Sequence, residues 1–317
     1  MRGISFSLNT ACLLSILGKS GSGKTTLLKC IYGLEDLPKG SVLVEGEKVL
    51  GPSYKLIPGN ENMKLVSQDY YVLENHTVEE NISDKLSGYT NEYKLKRVNE
   101  LLKVLDLKKF RDKKTSELSS GQKQRVSIAR ALADFPKLLL LDEPFSNLDF
   151  QLKDNIFTYI RQNIEKQNAS CILVTHQPEE ALRYSSEIII MEEGKIVQHN
   201  KPEYIYFRPE SLKIARLFGK CFELEKTDFN SSKGLKFKEG RIWLRPEKLK
   251  TSARGQEKHL EVKITNKLFA QDKYEIIAET LSGECISFYH PDPSFKIGDV
   301  KYLTVDLSFQ LSNFLTF

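Results

Sequence analysis

The sequence predicts an α/β phosphate-loop domain followed by a small all-β domain, and three observations carry that expectation. Up to about residue 220, strand-length apolar runs alternate with segments of helical periodicity, the pattern of a largely parallel sheet covered by helices. A glycine-rich segment, Gly18 to Thr25, lies between the first strand and the first helix. Beyond Lys220, short segments of period-two alternation dominate instead.

The elements follow in order. Ala11 to Leu17 is a nearly continuous apolar run and is expected to be a buried strand. Lys24 to Tyr32 is expected to be a helix closed by Gly33, the residue that most readily takes the left-handed conformation ending a helix. Ser41 to Leu50 suggests short strands around a turn at Gly46. Glu92 to Leu105, Gln122 to Ala133 and Gln151 to Glu165 have helical periodicity, whereas Lys137 to Asp142, Cys171 to Thr175 and Glu187 to Met191 have the length of buried strands. From Cys221 onward, Arg241 to Leu244, Leu260 to Ile264, Tyr274 to Ala278 and Cys285 to Phe288 alternate, with turn signals at Gly255, Gly283 and Gly298. That pattern predicts a small β-barrel or sandwich and places the domain break at 220/221.

Composition narrows the function. A chain of 317 residues has room for two domains, and 40% apolar with 28% charged residues excludes disordered and fibrous classes. The 47 Lys and Arg exceed the 42 Asp and Glu by only five, too small an excess to hold nucleic acid by charge. Runs such as Leu138 to Leu141 fall far short of the ~18 residues of a membrane span. Met1 to Leu17 carries Arg2 and several apolar residues, as a signal peptide would. However, Ile4, Phe6 and Leu8 alternate with Ser5 and Ser7, so that Met1 to Leu8 is expected to be a strand, and cleavage beyond Cys12 would remove a needed strand downstream, so no signal peptide is expected. Cys12, Cys30, Cys171, Cys221 and Cys285 show no metal-type spacing and are each expected to be small buried residues in a reducing cytosol.

Gly18-Lys19-Ser20-Gly21-Ser22-Gly23-Lys24-Thr25 fits the phosphate-loop pattern GxxxxGK[ST] and runs on into Thr26. Glycines allow backbone N–H groups to turn inward around phosphates, Lys24 can reach the β- and γ-phosphates of a nucleotide, and Thr25 can ligate Mg2+. Leu138 to Leu141 deliver Asp142 and Glu143 to the carboxyl edge of a sheet, where Asp142 can hold Mg2+ and Glu143 can orient or deprotonate a water. Such a strand end is by itself ordinary; the phosphate loop makes it a candidate hydrolytic site. His176 and Gln68 also follow apolar strands and could face a γ-phosphate.

Leu118-Ser119-Ser120-Gly121-Gln122 opens a helix shortly before the acidic strand and resembles the LSGGQ signature of the ATP-binding cassette (ABC) family. Ser146-Asn147-Leu148-Asp149 resembles that family's D-loop, and the order of phosphate loop, Gln68, signature, Asp142-Glu143, D-loop and His176 matches the family through the first 200 or so residues. The one departure is Ser120, where the family usually has glycine. The resemblance implies an ABC ATPase domain over 1–220 with a helical subdomain at about 77–135. It implies Glu143, His176 and Gln68 as catalytic residues, and Thr25, Gln68 and Asp142 as Mg2+ ligands. Ser119, Gly121, Gln122 and Asp149 would join the phosphate loop in contacting ATP. Because the family lays the signature of one cassette over the nucleotide of another, a second copy is implied, most simply a homodimer.

The segment Gln198 to Gly219, followed by Arg245-Pro246-Glu247, is similar to importer ATPases with a C-terminal OB-like domain, here 221–317. Those ATPases serve permeases for ferric iron, polyamines, sulfate, molybdate or sugars, and the resemblance favours the first three over the longer-tailed sugar type. Expected partners are therefore membrane permease subunits and, indirectly, an extracytoplasmic solute-binding protein, at the cytoplasmic face of the membrane and without nucleic acid. Tyr70 to Leu73 could be core or a permease-docking surface. A soluble cassette switch acting on ribosomes or DNA is the alternative, although such chains commonly carry two cassettes or a long insertion. A small-molecule kinase would leave the signature and His176 without a role. The family's adenine-stacking aromatic lies about 25 to 30 positions before the phosphate-loop lysine, which here falls upstream of Met1; a natural start further upstream is expected, as stacking on a base is worth about 1–3 kcal/mol.

Overall fold

The structure is a computed structural model that describes residues 3–57, 59, 62–69, 71–146, 148–231, 235, 239–252, 259–292 and 294–306. Met1, Arg2, Tyr70, Asn147 and the expected turn at Gly255 lie outside the described residues. The chain divides into two compact units, Met1–Glu203 and Tyr204–Phe317.

In the first unit, β1 (Leu13–Leu17) leads into α1 (Lys24–Tyr32), followed by the two-residue strands β2 (Leu43–Val44) and β3 (Glu47–Lys48) and by β4 (Met63–Val66). Helices α2 (Val78–Ser83), α3 (Asn91–Val104) and α4 (Ser120–Ala133) come next. Then β5 (Leu138–Asp142), α5 (Phe150–Gln167), β6 (Ser170–Val174), α6 (Pro178–Tyr184), β7 (Glu187–Glu192) and β8 (Lys195–Asn200) complete the unit. The six-stranded sheet has the order β4-β5-β6-β1-β7-β8, parallel except for the β7–β8 hairpin.

Strand alternation shares one sheet between two cores. Leu139 and Leu141 of β5 point into a cluster with Val98, Leu101, Ile128, Leu132 and Ile160 of α3, α4 and α5. Leu138 and Leu140 point the other way, onto Leu27, Leu28 and Ile31 of α1. Each of those α1 side chains is buried and contributes about 1.5–3 kcal/mol, which fixes α1 and hence the loop that precedes it.

Two expectations need correcting. Ile4, Phe6 and Leu8 do alternate in burial and pack on the α1-side core, but residues 3–9 form no strand, because no backbone ladder pairs with them among the described residues. Four cysteines are buried as expected, whereas Cys285 is exposed, since it begins an edge strand of the second sheet.

In the second unit, α7 (Pro202–Phe207), which crosses the division, and α8 (Leu212–Leu217) precede β9 (Phe222–Glu225) and β10 (Arg241–Leu244), an antiparallel ribbon. Strands β11 (Leu249–Ser252), β12 (His259–Ala270), β13 (Lys273–Thr280), β14 (Cys285–His290) and β15 (Val300–Val305) form an antiparallel sheet in the order β11-β15-β12-β13-β14. Its core is Leu260, Val262, Ile264, Ile276, Ile286, Phe288 and Leu303, giving the small all-β domain that the alternation predicts, consistent with the OB-like domain that the resemblance implies. Arg245, buried, donates to the Ala215 carbonyl at 2.9 Å and lies 4.1 Å over the Tyr206 ring, while Tyr206 Oη donates to Glu247 at 2.7 Å. Residues 204–220 are thus tied to the all-β unit.

Candidate active site

Strands β4, β5, β6 and β1 stand side by side and parallel, so residues leaving their carboxyl ends share one sheet edge, where ligands of α/β folds collect. Gly18 to Gly23 leave β1, Gln68 follows β4, Asp142 and Glu143 end β5, and His176 follows β6.

The loop after β1 is shaped for close approach. A Cβ at Gly18 would lie 2.4 Å from the Met191 carbonyl oxygen and 2.6 Å from Ser22 Oγ, so only glycine fits. Gly21 and Gly23 have φ of 79° and 97°, which turns successive N–H groups into a concave nest. No side chain caps the amino end of α1 at Gly23, leaving its first N–H groups available to an anion. Ser22 Oγ is buried without a hydrogen-bond partner, a polar atom aimed into the same loop. Lys24, buried, donates from Nζ to the carbonyls of Gly18 at 2.8 Å and Lys19 at 3.0 Å. Burial holds its ammonium below the usual lysine value, against the pull of the Glu143 and Asp142 carboxylates.

Thr25 Oγ1 donates to Asp142 Oδ1 at 3.3 Å. Burial pushes the Asp142 carboxyl above its ordinary range, opposed by the Thr25 hydroxyl and aided by the neighbouring Glu143 charge. A hydroxyl and a carboxylate converging beside a phosphate nest are the hard oxygen donors that Mg2+ selects. Glu143 sits at φ 48°, left-handed backbone that costs a non-glycine residue about 1–3 kcal/mol, and its N–H bonds to the Val174 carbonyl at 2.9 Å. That turn directs Glu143 Oε2 to His176 Nδ1, 2.9 Å away; since a carboxylate only accepts, Nδ1 carries the proton.

The structure therefore gathers Gly18, Gly21, Ser22, Gly23, Lys24, Thr25, Asp142, Glu143 and His176, with Lys19, Ser20 and Thr26 exposed on the same loop and first helical turn. Gln68 is exposed two residues beyond β4. Ser119, Gly121 and Gln122 form a second cluster at the start of α4. There the Ser119 N–H donates to Gln122 Oε1 at 2.9 Å and the Gln122 N–H to Ser119 Oγ at 3.4 Å, a reciprocal capping box. Ser120 is the first residue of that helix and has no positive φ, so the departure from glycine costs no backbone strain. Asp149 caps α5, its Oδ1 accepting from the Leu152 N–H at 2.9 Å.

Two residues escaped the sequence reading. Asn81, fully buried, holds both the carbonyl and the N–H of Leu73, and Arg130 donates to the Asn81 carbonyl at 2.8 Å. They brace the segment after Gln68, in which Val72 is half-buried while the Tyr71 ring is 69% exposed, 5.8 Å from the Arg130 guanidinium. The available signal was a polar residue on the apolar face of α2, between Val78 and Ile82.

Comparison with known proteins gives this geometry relatives. Residues 1–146 match the family described as ABC transporter. The ferric-ion import ATP-binding protein FbpC of Pasteurella multocida is 36% identical over 218 residues, 68% of this chain and 61% of that protein. The sulfate/thiosulfate import ATP-binding protein CysA of Mesostigma viride is 31% identical over 277 residues, 84% of this chain and 78% of that one. The spermidine/putrescine import ATP-binding protein PotA of Haemophilus ducreyi is 36% identical over 229 residues, 72% and 61%. This chain thus spans 61% of the length of two of these three relatives. Among solved structures, the dimeric post-hydrolysis state of the ATP-binding cassette MJ0796, bound to ADP and Pi, matches with a TM-score of 0.53 at 28% identity, covering 62% of this chain and 88% of that one. Since the likeness to CysA runs through most of both chains and the likeness to the solved cassette covers most of that domain, the chain belongs to the ABC transporter family, among its ATP-binding and ATP-hydrolysing subunits.

Proposed function

We propose that the chain energises a membrane importer for a small solute or ion of the ferric-iron, polyamine or sulfate class, working as one of two cassette subunits beneath permease subunits. The observation that carries this reading is the pairing of Thr25 with Asp142 and of Glu143 with His176 around Lys24 at one sheet edge. Relatives named for import of all three solute classes support it over a soluble switch. Among the described residues no helix is long and apolar enough to cross a membrane, which fits a peripheral subunit at the cytoplasmic face that acts on solute only through a permease and its solute-binding protein.

Chemically, the loop from Gly18 to Gly23 cradles the phosphates with backbone N–H groups, and Lys24 swings from its carbonyls to the β- and γ-phosphates. Thr25, Asp142 and Gln68 would hold Mg2+, which when bound supplies positive charge against the phosphate oxygens. Glu143 positions the attacking water and takes its proton, and His176 fixes the carboxylate through Nδ1 while its exposed ring edge faces the γ-phosphate side. Ser119, Gly121 and Gln122, standing apart from this edge, complete the site of a second copy. Tyr71 and the braced segment after Gln68 form the permease contact. Co-purification of the full chain with a membrane protein tests the importer reading, and recovery with ribosomes or DNA instead would reject it.

Two further results are expected. A Cβ at Gly121 meets nothing within 4 Å in its own chain, so Gly121→Ala should keep the fold and firm the helix by about 0.5–1 kcal/mol. Turnover should nevertheless fall about tenfold or more, because the methyl occupies space reserved for the partner's nucleotide; unfolding temperature and ATPase rate from one preparation check both halves. We also place an independent nucleotide-binding domain in the first part of the chain. The expected break at 220/221 would leave α8 on the fragment without its Arg245 bond, so residues 1–203 should give the more soluble ATP-binding fragment. An insoluble 1–203 beside a soluble 1–220 would put the functional boundary at 220.

A further inference from the structure

The turn that carries His176 is held by side chains that the hydrolytic site does not use. Thr175, buried at the end of β6, donates its hydroxyl to Glu180 Oε2 at 2.7 Å and at the same oxygen accepts the Gln177 N–H at 3.0 Å. One atom thus ties the residues on both sides of His176. Glu180, buried on α6, offers Oε1 to Lys153 Nζ at 2.9 Å, and Lys153 also donates to Gln177 Oε1 at 2.9 Å. Lys153 lies one turn into α5, its N–H bonded to the carbonyl of the capping Asp149 at 3.1 Å. A continuous set of bonds therefore runs from the start of α5 through Lys153 and Glu180 to both neighbours of His176. The His176 side chain is itself 55% exposed, so the backbone turn beneath it sets where the ring points.

Stability alone does not account for this arrangement. The side chains of Lys153 and Glu180 are 12% and 8% exposed, and two charges removed from water regain in mutual attraction about what desolvation costs, so apolar residues of similar size would stabilise the fold as well. What the pair adds is direction: hydrogen bonds among α5, α6 and the His176 turn fix their mutual positions to within the tolerance of a hydrogen bond.

We propose that Lys153 and Glu180 are positioning residues for ATP hydrolysis, a largely buried pair that locks the His176 turn to the start of α5 and so holds His176 Nδ1 on Glu143. This rests on the reading of Glu143 and His176 given above. Misplacing a group by about 1 Å can cost up to a hundredfold in rate, and the pair controls displacements of that size.

The decisive variant is Lys153→Met combined with Glu180→Gln in the full-length chain. It cuts the link without stranding a buried charge, and the amide still offers Thr175 an acceptor. The unfolding temperature and the KM for ATP should stay near native values while kcat falls about ten- to a hundredfold. Lys153→Arg, which keeps the charge and reaches both acceptors, should restore most of the rate. In a His176→Ala background the double substitution should cause no further loss. Native kcat in the double variant, a loss expressed as raised KM, or an equal fractional loss with and without His176 would each overturn the proposal. Native turnover in His176→Ala alone would instead reject the assignment of His176 and the positioning role with it. A rate lost in His176→Ala but native in the double variant rejects the positioning role only.

Discussion

Glu143→Gln should reduce ATP turnover about a hundredfold or more, leave nucleotide binding near native, and let a nucleotide-bound dimer accumulate. The amide keeps the size of the side chain and, through its oxygen, an acceptor for His176 Nδ1, so the turn at φ 48° and the 2.9 Å contact have no cause to rearrange. What it loses is the capacity to take a proton from water. In the proposed mechanism binding depends on other atoms: those of the nest formed by Gly18 to Gly23, of Lys24, and of the Thr25–Asp142 pair. A complex that closes over ATP and cannot hydrolyse it has no route to open, so size-exclusion chromatography with ATP and Mg2+ should show a dimer that the native chain forms only transiently. Lys24→Ala should do the reverse. Removing a charge-assisted contact worth about 1.5–3 kcal/mol weakens binding itself by about ten- to a hundredfold, and no dimer should collect. Turnover by Glu143→Gln within a few-fold of native would remove Glu143 from the chemistry.

How much of this was legible beforehand depends on whether the information is local. Helix α1 was read to the residue because both its boundaries are glycines with positive φ, Gly23 and Gly33, and glycine at such places is a local steric requirement. The strands β5 and β6 were read within a residue because a short apolar run between polar residues has few alternatives. The run Leu138 to Leu141 could not disclose which leucine faces which core, since every position is apolar; only the packing of α1 on one face of the sheet and of α3, α4 and α5 on the other separates them. Strand β8 went unread because its hairpin turns on Glu193 and Gly194, both with positive φ, and glutamate is a poor signal for that conformation. β12 was read only to Ile264 because the pairing shifts register between Ile264 and Asn266, after which the burial alternation loses its phase.

The site divides along the same line. Its motif residues were visible because the roles proposed for them, phosphate binding and Mg2+ ligation, constrain residue type over a few consecutive positions. The Thr25–Asp142 and Glu143–His176 contacts join residues 117 and 33 positions apart, and became inferable only because each partner lies within its own recognisable segment. Asn81 and Arg130, 49 positions apart, lie in no such segment, and a buried asparagine looks in sequence like any polar residue of a short helix.

Asp142→Asn should make the free protein more stable and nearly inactive. Burial raises the Asp142 carboxyl above its ordinary value, and the attraction of Lys24 and Lys29 does not cancel that cost. The sign is fixed by linkage: the folded chain binds this proton more tightly than the unfolded chain, so stability declines as pH rises from the ordinary carboxylate value through the raised one, and the cost persists at neutral pH. Asparagine carries no charge to desolvate and still accepts from the Thr25 hydroxyl. The unfolding temperature without nucleotide should therefore rise at pH 7, by about 2–4 °C for each kcal/mol recovered, and the gain should shrink as the pH is lowered through the carboxylate range. Turnover should fall about a hundredfold or more, because an amide is a poor substitute for a carboxylate opposite Mg2+. Addition of ATP with Mg2+ should then reverse the order of the two proteins: the native chain gains stability from binding according to ligand concentration over Kd, and the variant gains little. An Asp142→Asn protein less stable than native without nucleotide would show that the carboxylate serves the fold, whereas the reversal on adding ATP would show that it is held at a cost in stability for the metal-bound state.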